Sequence, residues 1–160
     1  MQHSLEMFKE YFEYKDGFLV WKKRSGTKIK VGSTAGWLKD DGYVNIGLCG
    51  NIYFAHRIIF LLHHGYCPDI VDHINRNKSD NRIENLRGVT ASQNTCNSGI
   101  RVLNKTGVKG VRITKYGKYE ARLGINGKTI QVGTFNTLEA ASEALNKIRQ
   151  KEHGEYACNG

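Results

Sequence analysis

Leu5, Phe8 and Phe12 recur at helical spacing with Tyr11 beside them, so the chain is expected to open on a short amphipathic helix. The period then shortens. Asp16-Gly17 separates Tyr14 from the apolar run Phe18-Leu19-Val20-Trp21, and Asp41-Gly42 and Gly50-Asn51 punctuate two further strand-like runs, Tyr43 to Leu48 and Ile52 to Ala55. A region of small hairpins follows from this punctuation. From His56 to His64 the pattern is helical and apolar, with Gly65 where a C-cap glycine belongs and Pro68 just beyond, which predicts one buried helix.

The stretch from Val71 to Arg87 is polar and rich in turn residues, with isolated apolar anchors at Val71, Ile74, Ile83 and Leu86. It reads as a strand end at Asp72-His73 followed by a long loop that buries little. Thr90-Ala91-Ser92-Gln93 has the spacing of a capping box and opens a short helix carrying Asn94. Ser98-Gly99 to Lys105 reads as a linker. Beyond it come three strand-like runs, around Val108 to Thr114, Tyr119 to Ile125 and Thr129 to Phe135, with turns at Tyr116-Gly117-Lys118 and Asn126-Gly127. Asn136-Thr137-Leu138-Glu139 starts a last helix, with Leu138, Ala141, Leu145 and Ile148 on one face. Period-two alternation turns Val111, Ile113, Ala121, Leu123, Ile130 and Val132 toward that helix and leaves Arg112, Thr114, Arg122 and Gln131 outward.

Composition adds a partner to this outline. The 160 residues carry 24 Lys and Arg against 15 Asp and Glu, a formal charge of +9, so polyanions, and nucleic acid first among them, are the expected partners. Residues 101–160 hold 11 basic and 5 acidic residues, net +6, and between Lys105 and Lys128 seven basic residues face only Glu120. That sheet is the best phosphate-facing surface. The longest apolar run, Ile58 to Leu62, is too short for a membrane span, and the N-terminus lacks the pattern of a secretory signal, so a cytoplasmic address is expected. Cys49, Cys67, Cys96 and Cys158 form no Cys-x-x-Cys pair and read as free thiols. Lys22-Lys23-Arg24 reads equally as a solvated hairpin rim or a phosphate contact, and Trp21 and Trp37 as core or rim packing.

Short polar residues carry the candidate chemistry. Asp72 and Asn94 offer two hard oxygen ligands, which suit a divalent ion such as Mg²⁺ that keeps several waters and binds substrate phosphate directly. His73 is then available as a general base that takes a proton from water. His56, at the start of an apolar helix, reads first as a packed, hydrogen-bonded histidine, and His63 and His64 as residues favoured by a helix C-terminus.

Ala55-His56-Arg57, the string Val71-Asp72-His73-Ile74-Asn75-Arg76-Asn77-Lys78, and Asn81-Arg82-Ile83-Glu84-Asn85-Leu86-Arg87 followed by Ser92-Gln93-Asn94 resemble the HNH nucleases. The likeness is to the ββα-metal homing endonucleases and their phage-encoded relatives. It implies His73 as general base, Asn85 as the residue that holds the loop and orients His73, and Asp72 and Asn94 as ligands of one divalent ion. Asn94 stands where many relatives have a final histidine, which favours Mg²⁺ or Mn²⁺. His56, Arg76 and Lys78 fall within these strings as candidate supporting residues. A phage or other mobile element in a bacterial cell, with a nucleoid-associated enzyme, is also implied by the resemblance alone.

The C-terminal third resembles the DNA-binding domain of plant APETALA-type and ethylene-response factors, through Gly107 to Arg112, Gly117 to Arg122, Val132 to Phe135 and the helix Glu139 to Ala144. That likeness implies a sheet in the major groove and DNA contacts from Lys109, Arg112, Thr114, Tyr116, Lys118, Arg122 and Gln131. Tyr116 stands where the plant proteins often have tryptophan, and Thr114 where they often have arginine.

The expected fold is α+β: a ββα-metal nuclease domain with N-terminal hairpins over residues 1–98 (core motif 55–97), a linker over 99–106, and a three-stranded antiparallel sheet plus helix over 107–160. The expected activity is site-directed hydrolysis of a phosphodiester in double-stranded DNA, by a monomer that nicks or a homodimer that cuts both strands. The rival is a DNA-binding protein without hydrolysis. An RNA-directed nuclease is disfavoured by the scarcity of outward aromatic residues for stacking bases.

Overall fold

The computed structural model describes residues 2–100, 102–125 and 127–156, so Cys158 and the Asn126 half of the second C-terminal turn lie outside the described residues. The fold is mixed, with four α-helices and small antiparallel sheets, and it divides into two compact units, residues 1–89 and 90–160.

In the first unit, helix α1 (Gln2–Tyr11) leads into a hairpin of β1 (Phe12–Lys15) and β2 (Phe18–Trp21). Lys15 pairs with Phe18, so Asp16 and Gly17 alone make the turn, with φ of 44° and 89°. Two consecutive positive φ values are what a primed two-residue turn demands, and Asp-Gly meets that demand at low strain. Strands β3 (Trp37–Leu38), β4 (Val44–Leu48) and β5 (Asn51–Phe54) form a second sheet in that order. The turn between β4 and β5 is Cys49-Gly50, one residue earlier than the pattern suggested. β3 has no counterpart in the hydropathy pattern. Both of its residues are exposed, Trp37 included, so no alternation marks it, whereas Trp21 is buried.

Helix α2 (Ala55–His64) buries Ile58, Ile59, Phe60 and Leu61 and ends on Gly65, whose φ of 75° gives the left-handed cap that only glycine adopts without cost. Its apolar face packs with Phe8, Phe12, Leu19, Trp21, Ile46, Leu48, Val71 and Leu86 as the core. Burying side chains of this size contributes roughly 1.5–3 kcal/mol each, so α2 anchors the unit. Within the rim cluster, Lys22 donates to the Lys9 carbonyl and Lys23 pairs with Glu10.

The stretch from Val71 to Arg87 corrects the expectation that it buries little. β6 (Ile70–His73) pairs with β7 (Leu86–Val89), a strand the pattern did not reveal, and the connection between them includes a turn of 3-10 helix, Ile83–Asn85. Asp72, His73, Asn81 and Asn85 are all buried with Val71, Leu86 and Val89. Polar residues can be buried here because the loop satisfies them internally.

In the second unit, α3 (Ala91–Asn97) is opened by the expected capping box, Thr90 Oγ1 accepting from the Gln93 amide and Gln93 Oε1 from the Thr90 amide. β8 (Val111–Ile113), β9 (Tyr119–Ile125) and β10 (Lys128–Phe135) form a sheet in the order β10-β9-β8, and α4 (Leu138–His153) follows a Thr137 cap. Val111, Ala121 and Leu123 pack with Ala141 and Leu145. Ile113 and Ile130 were expected in this core but are half exposed, because both sit on edge strands, where the single helix gives less cover. Part of the expected linker is structured: Asn104 Nδ2 and Thr106 Oγ1 bond the Val108 carbonyl, and Thr106 Oγ1 also donates to Val111.

Candidate active site and nucleic-acid interface

His73 ends β6, and the antiparallel register sets Asp72 opposite Arg87 and His73 opposite Leu86. Side chains on opposite members of a strand pair meet, and Arg87 Nε donates to Asp72 Oδ2 at 3.0 Å. The ion pair balances a buried carboxylate that would otherwise be costly to desolvate. His73 is 3% exposed, and its Nε2 lies 3.0 Å from Asn81 Oδ1.

Asn85 ties the loop to the hairpin. Its Oδ1 accepts from the Asn75 amide at 3.0 Å, and its Nδ2 donates to Asn75 Oδ1 at 3.0 Å and to the Asp80 carbonyl at 2.7 Å. Asp80 is pinned at its other end, its carboxylate accepting from Arg82 above all and from Asn75 Nδ2, and these bonds hold its carboxyl well below the usual carboxylate range. Arg76 is exposed and sits at φ 64°, a left-handed conformation unusual for an arginine, in the turn closed by its amide donating to the His73 carbonyl. Lys78 donates to the Asp41 carbonyl and lies 4.6 Å above the Tyr43 ring.

On its other side His73 meets His56, whose ring centroid is 5.0 Å away in an edge-on arrangement, and Tyr43 at 6.0 Å. His56 is packed as expected, but its Nδ1 is buried without a hydrogen-bond partner, which corrects the expectation of a bonded ring. Burial, with lesser contributions from His73 and Arg57, lowers its pKa from 6.5 to about 3. His56 is therefore neutral at physiological pH. His63 Nδ1 donates to the Ile59 carbonyl at 2.9 Å, a bond within α2.

The structure thus brings Asp72, His73 and Asn85 together in one hairpin and its loop, with His56 against His73. Asn94 stands exposed on α3 of the second unit. No group of three His, Cys, Asp or Glu side chains placed to hold a metal occurs among the described residues. Asp72 and Asn94 as a donor set are hard oxygens, and Mg²⁺ needs only one or two such protein ligands because it retains water. The residue that sequence reasoning missed is Asn81. It follows Asp80 in a run of turn formers, and only the fold reveals that it is buried against His73.

The second unit holds the candidate nucleic-acid residues. Arg112 and Arg122 both pair with Glu120, Arg122 at 3.0 Å, and the two guanidinium groups hold that carboxyl below its ordinary pKa. Lys109 Nζ donates to the carbonyls of Cys96 and Ser98 at the end of α3. Thr114 Oγ1 accepts from the Lys118 amide, Gln131 Nε2 approaches Thr134 Oγ1 at 3.4 Å, and Tyr116 is exposed beneath Lys115. A cleft of about 1010 Å³ runs along α3 and the sheet, with Lys105, Lys109, Arg112, Arg122, Lys128 and Arg149 in its lining.

Residues 53–96 match the family model of the HNH endonucleases, a span that holds His56, Asp72, His73, Asn85 and Asn94. The likeness to the HNH endonucleases lies in that segment. It is also 36% identical over 106 residues to an uncharacterized HNH endonuclease of Acanthamoeba polyphaga mimivirus, across 64% of this chain and 54% of that protein. The chain spans about half the length of the curated relative it matches. No solved structure matches the chain.

Proposed function

We propose that the protein is a divalent-metal-dependent DNA endonuclease whose general base is His73. The observation that carries this reading is a buried imidazole fixed at a strand end by Asn81, one residue after the buried Asp72, inside the segment that matches the HNH endonucleases. In the reaction, a water oxygen attacks phosphorus while His73 takes the water's proton. The bond from phosphorus to the 3′ oxygen breaks, its electron pair stays on that oxygen, and a solvent proton completes the hydroxyl. Asn85 keeps the loop closed through its three bonds. Asp72 and Asn94 would hold Mg²⁺ or Mn²⁺, which when bound supplies positive charge to stabilise the negative charge growing on the leaving oxygen.

This reading joins α3 to the first unit as one functional module, residues 1–98, with 99–106 leading to a DNA-positioning module at 107–160. Lys118, Tyr116, Thr114 and Gln131, with the paired Arg112 and Arg122, would meet double-stranded DNA, and Lys109 would shape the cleft. Arg76, Lys78 and His56 support the catalytic loop. Double-strand cutting would require a homodimer, since one such site cuts one strand.

The ion pair of Asp72 with Arg87 favours a second reading, a DNA-binding protein without hydrolysis, in which the carboxylate serves the hairpin alone. Incubating supercoiled plasmid with wild-type and Asp72→Ala protein, with and without Mg²⁺, separates the two. Metal-dependent nicked or linear product that Asp72→Ala removes supports the nuclease. No product, alongside a salt-sensitive mobility shift on the same DNA, supports the second reading.

A further inference from the structure

We infer that Asn81 is the positioning residue that holds His73 in its Nε2–H tautomer, so that Nδ1 is the atom that receives the proton from water. This inference rests on His73 being the base of the proposed reaction. The facing atoms at 3.0 Å are His73 Nε2 and Asn81 Oδ1, both on buried residues. An amide oxygen only accepts, so Nε2 carries the hydrogen, and a neutral imidazole with Nε2–H has its lone pair on Nδ1.

The loop enforces the arrangement. Asp80, the residue before Asn81, is held at its carbonyl by Asn85 and at its carboxylate by Asn75 and Arg82. That grip sets where Asn81 stands. His56 and Tyr43 pack on the imidazole, so a ring flip that exchanged the two nitrogens would have to displace both. Asn85 therefore acts on the loop, and Asn81 acts on the ring. The proton balance is complete: the water proton goes to Nδ1, Nε2 keeps its own, and the imidazolium returns the added proton to solvent after the phosphorus–oxygen bond has broken.

The test is long-range ¹H–¹⁵N correlation spectroscopy on the full chain, free of metal and DNA, with the His73 signals assigned by their loss in His73→Ala. The wild-type protein is expected to show His73 with hydrogen on Nε2. Asn81→Asp, which keeps an oxygen acceptor, retains that pattern, and Asn81→Leu converts it to a mixture or to the Nδ1–H form. In plasmid cleavage Asn81→Leu lowers kcat on the order of 100-fold, with KM changed less than about threefold. An Nδ1–H ring in the wild-type protein overturns the inference, as does an Asn81→Leu protein whose tautomer and kcat are unchanged. If Asn81→Leu fails to fold, the wild-type and Asn81→Asp spectra decide, and loss of the Nε2–H pattern in Asn81→Asp overturns it. Full cleavage by His73→Ala would instead refute the choice of base while the spectra still judged the hold of Asn81 on the ring.

Discussion

Two buried histidines in contact do different work. His73 has a hydrogen-bond partner in Asn81, whereas the Nδ1 of His56 has none, and desolvation keeps His56 neutral down to a pH of about 3. The unfolded chain returns His56 to its ordinary 6.5, so between about 3 and 6.5 the unfolded state binds the extra proton. The consequence has a definite sign: stability is intact above 6.5 and falls as pH drops through this window, with a slope of up to about 1.4 kcal/mol per pH unit. Above about pH 5 ordinary carboxylates are ionised in both states, which leaves histidines as the main source of slope there. Urea denaturation between pH 5 and 7 should show a fall in stability with acidification that is smaller in His56→Phe. Equal slopes in the two proteins would show that His56 is not held neutral by the fold.

At the scale of elements, glycines at close approaches are the sharpest constraint. Gly110 has φ of 82°, its carbonyl accepts from the Arg122 amide, and a Cβ there would lie 2.6 Å from the Arg122 carbonyl oxygen. Gly110→Ala should destabilise the second unit by about 2 kcal/mol, read as an earlier thermal transition, and an unchanged transition would contradict this packing of β8 on β9. Elements with strong local chemistry were legible in the sequence. The Asp16-Gly17 turn, the α2 helix with its Gly65 cap, the Thr90 capping box and the alternation along β9 all follow from nearest-neighbour rules. β3 and β7 were not legible. β3 is two exposed residues, and β7 exists because Leu86 to Val89 finds partners in β6, from His73 opposite Leu86 to Ile70 opposite Val89, across the intervening loop. Likewise Asp72, His73 and Asn85 stood out as candidates by their order, but the burial of Asn81 and Asn85 contradicts hydropathy. It depends on bonds within the loop that no local pattern encodes.

Over the whole molecule, the charge of +9 favours polyanionic partners. Some of the basic residues are already engaged: Arg112 and Arg122 share Glu120, and Lys109 caps carbonyls. Exposed Lys118 is different in kind, with its side chain available to a phosphate. If the sheet binds DNA, Lys118→Ala should lower the slope of log K against log salt by about 0.9, measured by fluorescence anisotropy across a salt series. An unchanged slope would remove Lys118 from the interface. Among the described residues no helix is long and apolar enough to cross a membrane.

Single-turnover plasmid cleavage by wild-type and His73→Ala protein with Mg²⁺ decides whether His73 is the base of a phosphodiester-cleaving site. If His73 is that base, His73→Ala should lose at least about 100-fold in rate, with DNA affinity in a mobility shift unchanged. Cleavage by His73→Ala at the wild-type rate would contradict it.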